Sequence, residues 1–413
     1  LPRPPPSQQS EASEEEVALK AHLRGATPSG PFFENPGEPS PYPPEEIKRA
    51  LRAAERDENL QRNKLAYGRE RRDSRISFAH LPIQDHVVVL FPGQGAQHVG
   101  MGQKVGDHGP GFTDRHIQVL DCPAARDLFE RASASLGYDL AKLCKEGPKT
   151  KLEQTIYCQP AVFVSSLAAW TKLRTEEPEL ADRLTDVAGF SVGEFAALVA
   201  GGILSFDDAL TVVKKRADAM HDCNQIAAAG MLTVKVNAAS RLEDAMKEAK
   251  RHAEDQGEPY AVCEIANYLV CGLKVIGGTN VCLEQLEKNA DRCKFTVVKR
   301  LPVSGAFHTS LQTPARQIVK EALKEVQIRE PVANVYSNYT GAPHSHKKSE
   351  LRLALAAQVD SPVKWEQIQQ LLFRKHQNYV FPSFIEVGPG KQLGAMLAQT
   401  SKKLLSHYTN YTV

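Results

Sequence analysis

The chain has 413 residues, 42% of them hydrophobic, with Lys plus Arg at 51 and Asp plus Glu at 49. That length allows one large domain or two to three ordinary ones, and the apolar fraction can build a core. The near-neutral balance excludes a dedicated nucleic-acid binder, which needs a strong basic excess. The longest apolar run, Phe195–Leu204, is too short to cross a bilayer, so no membrane span is expected and the chain is read as soluble.

Prolines crowd Pro2–Pro6 and Pro36–Pro44, and charges alternate from Glu45 to Arg75. Such a stretch buries too little apolar surface to offset the entropy of ordering. Residues 1–84 are therefore expected to be a mostly disordered extension, with one exposed helix around 44–63. A chain that opens on Leu1 is compatible with a missing upstream piece such as a cleaved targeting peptide. The eight cysteines show no C-x-x-C spacing, which argues against a zinc ribbon or a thioredoxin-like site. Several sit in apolar runs, as small buried hydrophobes in a reducing compartment do.

Order begins at His86. Val87-Val88-Val89-Leu90-Phe91 has the length and β-branching of a buried parallel strand, ending in Pro92-Gly93. Helices are predicted over 124–136 and 160–173, then a short strand over 187–189 that meets a helix near Val192. This alternation predicts an α/β core with a parallel sheet. From Ala229 the rhythm changes to strand 231–236, helix 238–253, strands 260–268 and 273–276, helix 281–288 and strand 295–298. The order β-α-β-β-α-β is the split pattern of a ferredoxin-like unit. It places a ferredoxin-like small domain at 229–300, inserted into a large domain of 85–228 and 301–405, with 406–413 as a C-terminal tail. A helix at 314–326, a strand at 332–337, a helix at 350–359 and a strand at 384–387 complete the large domain.

Four segments carry candidate chemistry. Gly189-Phe190-Ser191-Val192-Gly193 is G-x-S-x-G between a predicted strand and a predicted helix. Glycines permit a tight turn that exposes the serine, and the helix N-terminus favours a developing oxyanion. A Gly-rich connecting turn is the alternative. Phe91-Pro92-Gly93-Gln94-Gly95-Ala96-Gln97 follows the first strand, where ligand sites of α/β sheets lie. The N–H of Gln94 is positioned to be a second oxyanion donor. A dinucleotide loop fails because His98 replaces the third glycine, while a structural turn stays open. Ser304-Gly305-Ala306-Phe307-His308 stands where the small domain returns the chain, and His308 can be a base for Ser191 or a structural histidine. Ser205-Phe206-Asp207-Asp208 caps a helix on which Leu210, Val213, Ala217 and Met220 share one face. Arg216 borders that face and requires an anion, either a ligand or a salt-bridge partner. His344-Ser345-His346 as a metal site, and Lys214-Lys215 or Lys299-Arg300 as a landing place for an acidic partner, are weaker than a solvated loop and solvated charged faces.

F-P-G-Q-G-A-Q, G-F-S-V-G-E (Gly189–Glu194), R-x-x-x-M (Arg216–Met220), A-F-H (Ala306–His308) and E-V-G-P-G (Glu386–Gly390) occur in this order. The set resembles the malonyl-CoA:acyl carrier protein transacylase family, its mitochondrial form most closely, over about 87–397. The resemblance implies an α/β-hydrolase-like large domain with a ferredoxin-like small domain. It implies a malonyltransferase supplying extender units for fatty acid synthesis, with malonyl-CoA and acyl carrier protein as partners. Ser191 is then the nucleophile, His308 the base, Gln94 and Val192 the oxyanion donors, and Arg216 the bidentate clamp on the malonyl carboxylate. Asn267 is aligned with an assisting residue of the cleft. The base is expected to be oriented by a backbone carbonyl of the 361–365 loop, at Lys364. No metal or redox cofactor, a monomer and the mitochondrial matrix are expected. Phe190 replaces the histidine that many members carry before the serine, and Gln312 a common methionine of the acyl pocket. Ala306 before Phe307-His308 fits the malonyl-preferring variant.

Overall fold

The computed structural model describes residues 75–102 and 119–413, with Glu45, Lys48 and Arg49 besides. The extension expected over 1–84, and its helix, therefore lie largely outside the described residues. The strands are β1 (Val87–Phe91), β2 (Leu184–Gly189), β3 (Ala229–Lys235), β4 (Cys263–Val270), β5 (Leu273–Thr279), β6 (Thr296–Arg300), β7 (Asn334–Ser337), β8 (Ala342–Pro343), β9 (Val363–Lys364), β10 (Ser383–Gly388) and β11 (Tyr408–Thr412). Helices of eight residues or more are α1 (Pro123–Leu136), α2 (Thr155–Glu176), α3 (Gly193–Ala200), α4 (Phe206–Cys223), α5 (Leu242–Asp255), α6 (Asn280–Lys288), α7 (Thr313–Ala322), α8 (Lys348–Ala357), α9 (Trp365–Phe373) and α10 (Gln392–Thr400).

Every residue of β1 is buried, because the strand lies inside a sheet of order β11-β10-β1-β2-β7-β8. Its pairings are parallel from β11 to β7, and β8 returns antiparallel to β7. Such a strand buries both faces, which is why it reads as an unbroken apolar run. α2 packs against α1, α4 and β10, so its middle from Cys158 to Trp170 is buried on all sides. α4 begins as its sequence dictates. Ser205 is the N-cap, and its Oγ accepts from the N–H of Asp208 at 3.1 Å.

Residues 229–300 supply β3 to β6 of a second sheet, of order β6-β3-β5-β4-β9. Leu232, Val234 and Ile276 of that sheet pack on Ala245 and Ala249 of α5 and on Leu283 and Leu286 of α6. The sheet is not closed within 229–300, since β9 comes from the later chain and pairs parallel with β4. The expected tail at 406–413 is corrected too. Residues 408–412 form β11, which runs parallel to β10 and closes that edge of the first sheet. None of the eight cysteines forms a disulfide, and all but Cys271 are buried.

Candidate active site

β2 ends at Gly189 and α3 starts at Gly193, so G-x-S-x-G makes the whole strand-to-helix turn. Close backbone approach requires both glycines. A Cβ on Gly189 would lie 1.9 Å from Gly193 O, and one on Gly193 would lie 2.4 Å from Phe91 O. The turn holds Ser191 at φ 54°, in the left-handed region that is costly for residues with a side chain. Asn338, just after β7, braces it. Its Oδ1 accepts from Ser191 N–H at 2.6 Å, and its Nδ2 donates to Gly189 O at 2.7 Å.

His308 lies beyond β6, also at positive φ (60°). Its Nε2 is 2.8 Å from Ser191 Oγ and its Nδ1 is 2.8 Å from Gln358 O. A carbonyl only accepts, so Nδ1 carries the proton and the neutral ring turns a bare Nε2 toward the serine hydroxyl. Burial pushes the imidazole pKa down to about 3; the charge of Arg216 lowers it further, and the Gln358 carbonyl acts the other way. The ring is therefore an unprotonated acceptor at neutral pH. The orienting carbonyl is that of Gln358, not one in 361–365. Gln358 caps α8, where helix carbonyls have no intrahelical partner.

Arg216 is fully buried, not at the border of the α4 face. Its Nη1 donates to Gln159 Oε1 at 2.6 Å, and its Nη2 to Gln358 Oε1 at 2.9 Å and Ser191 Oγ at 3.0 Å. These acceptors are all neutral, so the salt-bridge alternative for Arg216 does not hold. Burial lowers its pKa to about 10, and the charge of Glu194 counteracts that, so the group stays cationic. A guanidinium held only by neutral oxygens beside a hydroxyl is suited to receive an anion.

The loop carrying Gln94 follows β1 and is tied to the serine turn through Phe190 N–H, which donates to Phe91 O at 2.9 Å. Val192 heads α3, where the helix dipole is positive. Phe190 packs edge-on to Trp365, with ring centroids 5.6 Å apart. Gln312 is buried and donates to Asn224 Oδ1 at 3.4 Å. Asn267 belongs to the second sheet. It is buried on β4, its Oδ1 has no partner, and no hydrogen bond joins it to Ser191, His308 or Arg216.

His344 is buried rather than in a solvated loop, with Nε2 2.8 Å from Glu194 Oε1. Among the described residues no group of three His, Cys, Asp or Glu side chains is placed to hold a metal. Sequence reasoning missed Gln159, Gln358 and Asn338. Gln159 alone left a signal, as an amide next to the apolar run 160–164 that needs a partner once buried.

The family model described as acyl transferase domain matches residues 88–412. The human protein named mitochondrial malonyl-CoA-acyl carrier protein transacylase is 41% identical over 322 residues, 78% of this chain and 79% of its own length. A probable mitochondrial malonyl-CoA-acyl carrier protein transacylase of Drosophila melanogaster is 42% identical over 317 residues, 76% of this chain and 79% of its own. The crystal structure of an acyl-carrier-protein S-malonyltransferase from Burkholderia pseudomallei superposes with a TM-score of 0.67 at 28% identity, covering 79% of this chain and 96% of that one. Likeness of this extent, over a serine, an imidazole and a guanidinium already joined by hydrogen bonds, makes the chain a member of the acyl transferase domain family, among the malonyl-CoA-acyl carrier protein transacylases.

Proposed function

We propose that the chain transfers the malonyl group of malonyl-CoA to the phosphopantetheine thiol of an acyl carrier protein, supplying fatty acid synthesis in the mitochondrial matrix. The observation that carries this reading is Arg216, fully buried on neutral acceptors with Nη2 3.0 Å from Ser191 Oγ. Such a site favours acyl donors that bear a carboxylate of their own. The names of the relatives support the donor, the acceptor and the compartment.

Ser191 Oγ attacks the thioester carbonyl while its proton passes to His308 Nε2. The C–S bond then breaks, and His308 returns the proton to the CoA sulfur. In the second half the carrier thiol gives its proton to His308 and its sulfur attacks malonyl-Ser191. Ser191 leaves and recovers the proton. The N–H groups of Gln94 and Val192 stabilise the oxyanion of each step. Every proton and electron pair is accounted for by these groups, so the chemistry calls for no metal or redox cofactor. A malonyl carboxylate on Arg216 would cancel the charge that depresses His308, so the base strengthens when the anionic donor binds. Asn267 is kept as an assisting residue of the cleft on the strength of its buried, unpaired Oδ1.

The six-stranded unit is read as α/β-hydrolase-like and residues 229–300 as ferredoxin-like. The antiparallel order β6-β3-β5-β4, with α5 and α6 packed on that sheet, supports the second assignment. Mass spectrometry after mixing malonyl-CoA with the protein, with and without phosphopantetheinylated carrier protein, tests the activity. Malonyl-carrier should accumulate while free malonate stays low. Rapid release of malonate with no malonyl-carrier would instead mark a hydrolase.

A further inference from the structure

Glu194, the last residue of G-F-S-V-G-E, has no part in the steps above, yet its carboxylate is fully buried one turn from the nucleophile. Its Oε2 accepts from Gln358 Nε2 at 2.9 Å and from Asn338 N–H at 3.1 Å, and its Oε1 lies 2.8 Å from His344 Nε2. Both of its protein-side contacts on Oε2 are residues that hold the site. Asn338 braces the serine turn. Gln358 touches all three candidate groups: its backbone O meets His308, its Nε2 donates to Ser191 O at 2.8 Å, and its Oε1 accepts from Arg216.

A glutamine amide has two orientations of nearly equal shape, and only one suits Arg216. With Nε2 facing Glu194 and Ser191 O, both acceptors, Oε1 must face the guanidinium. Reversed, the amide would point N–H groups at a cation and a carbonyl at a carboxylate. A carboxylate can hold this orientation because it accepts only. His344 keeps it in place: a buried carboxylate needs its remaining lone pairs occupied, and the imidazole supplies a donor from the far side. His344 is itself held behind Glu194 by β8, and its backbone N–H donates to Val335 O of β7 at 2.8 Å.

We propose that Glu194 and His344 form a buried positioning pair that locks the Gln358 amide with its oxygen on Arg216, and thereby sets the preference for carboxylate-bearing over uncharged acyl donors. This deepens the malonyl-transfer reading and rests on it. Neither residue touches the reacting atoms, so both are positioning residues and act through Gln358.

The test compares kcat/KM for malonyl-CoA and acetyl-CoA, with carrier protein as acceptor, in the full chain and in Glu194→Gln, Glu194→Met, His344→Leu and His344→Gln. Wild-type protein that moves no malonyl group would sink the transfer reading itself, before the variants are read. With active wild type, Glu194→Met and His344→Leu should lower the malonyl-to-acetyl ratio about tenfold, chiefly through KM for malonyl-CoA. His344→Gln keeps a donor near the same place and should restore most of the ratio. Glu194→Gln keeps one acceptor oxygen and should fall between. If Glu194→Met does not fold, Glu194→Gln and the His344 pair decide. A ratio unchanged in the folded variants, or equal losses with both donors, would overturn the proposal, since a merely structural pair would lower both rates together.

Discussion

Arg216 Nη2 and His308 Nε2 reach the same atom, Ser191 Oγ, at 3.0 and 2.8 Å. The hydroxyl is thus a donor to the imidazole and an acceptor from the guanidinium, which orients its proton toward the base. Removing the guanidinium by Arg216→Ala should cost malonyl transfer about 2–5 kcal/mol in kcat/KM, the usual loss for a desolvated charge pair. Acetyl transfer should be spared or rise. Steady-state kinetics with both donors checks this, and equal losses would count against a carboxylate clamp.

The same closeness shapes the titration of His308. Burial is the main cause of its lowered pKa and the Arg216 charge the next, so in Arg216→Ala the ring should titrate at higher pH than in the wild type. NMR of labelled histidine reads it directly. The folded ring resists protonation down to about pH 3, whereas the unfolded ring takes a proton near 6.5, so its contribution is present above 6.5 and is lost as pH falls toward 3. A ring that titrates identically in both proteins would contradict the assignment of Arg216 as a cause.

Ser191 holds a backbone conformation that favours glycine. Ser191→Ala and Ser191→Gly both delete the hydroxyl and should both be inactive. Glycine relieves the positive φ, and Ser191→Gly should be the more stable of the two by about 1 kcal/mol. Urea unfolding of the pair measures the difference, and an alanine variant of equal or greater stability would argue against strain in the turn.

Glu386 of E-V-G-P-G is fully buried and accepts from Leu393 N–H at 3.1 Å, Gly394 N–H at 2.7 Å and Tyr408 Oη at 2.6 Å. Burial raises its pKa to about 7 despite those hydrogen bonds, which lower it. The folded state keeps this proton up to about pH 7, while the unfolded state releases it near 4.5. Its contribution is complete below 4.5 and is lost as pH rises through 7, at about 1.4 kcal/mol per unit in between. Glu386→Gln should lack this component. The stability gap between wild type and variant should therefore change across that window, and a constant gap would contradict it.

What was legible in the sequence followed physical strength. β1 was readable because a doubly buried parallel strand must be apolar throughout. β11, Tyr408-Thr409-Asn410-Tyr411-Thr412, was not, because an edge strand carries polar residues and reads as a tail. Ser191, His308 and Arg216 were legible since charge, nucleophilicity and glycine spacing leave marks. Gln159, Asn338 and Gln358 are neutral amides whose roles come from where three distant segments meet. The carbonyl behind His308 belongs to Gln358, six residues before the expected Lys364, because any residue has a carbonyl and only the end of α8 decides which one is free.

If Ser191 carries the malonyl group between donor and carrier, intact-protein mass spectrometry of wild type and Ser191→Ala after exposure to malonyl-CoA will show it. The wild type should gain one malonyl adduct, mapped to Ser191 and discharged on adding phosphopantetheinylated carrier protein, and Ser191→Ala should gain none. An adduct that persists in Ser191→Ala, or one on the wild type that the carrier cannot remove, would contradict the account.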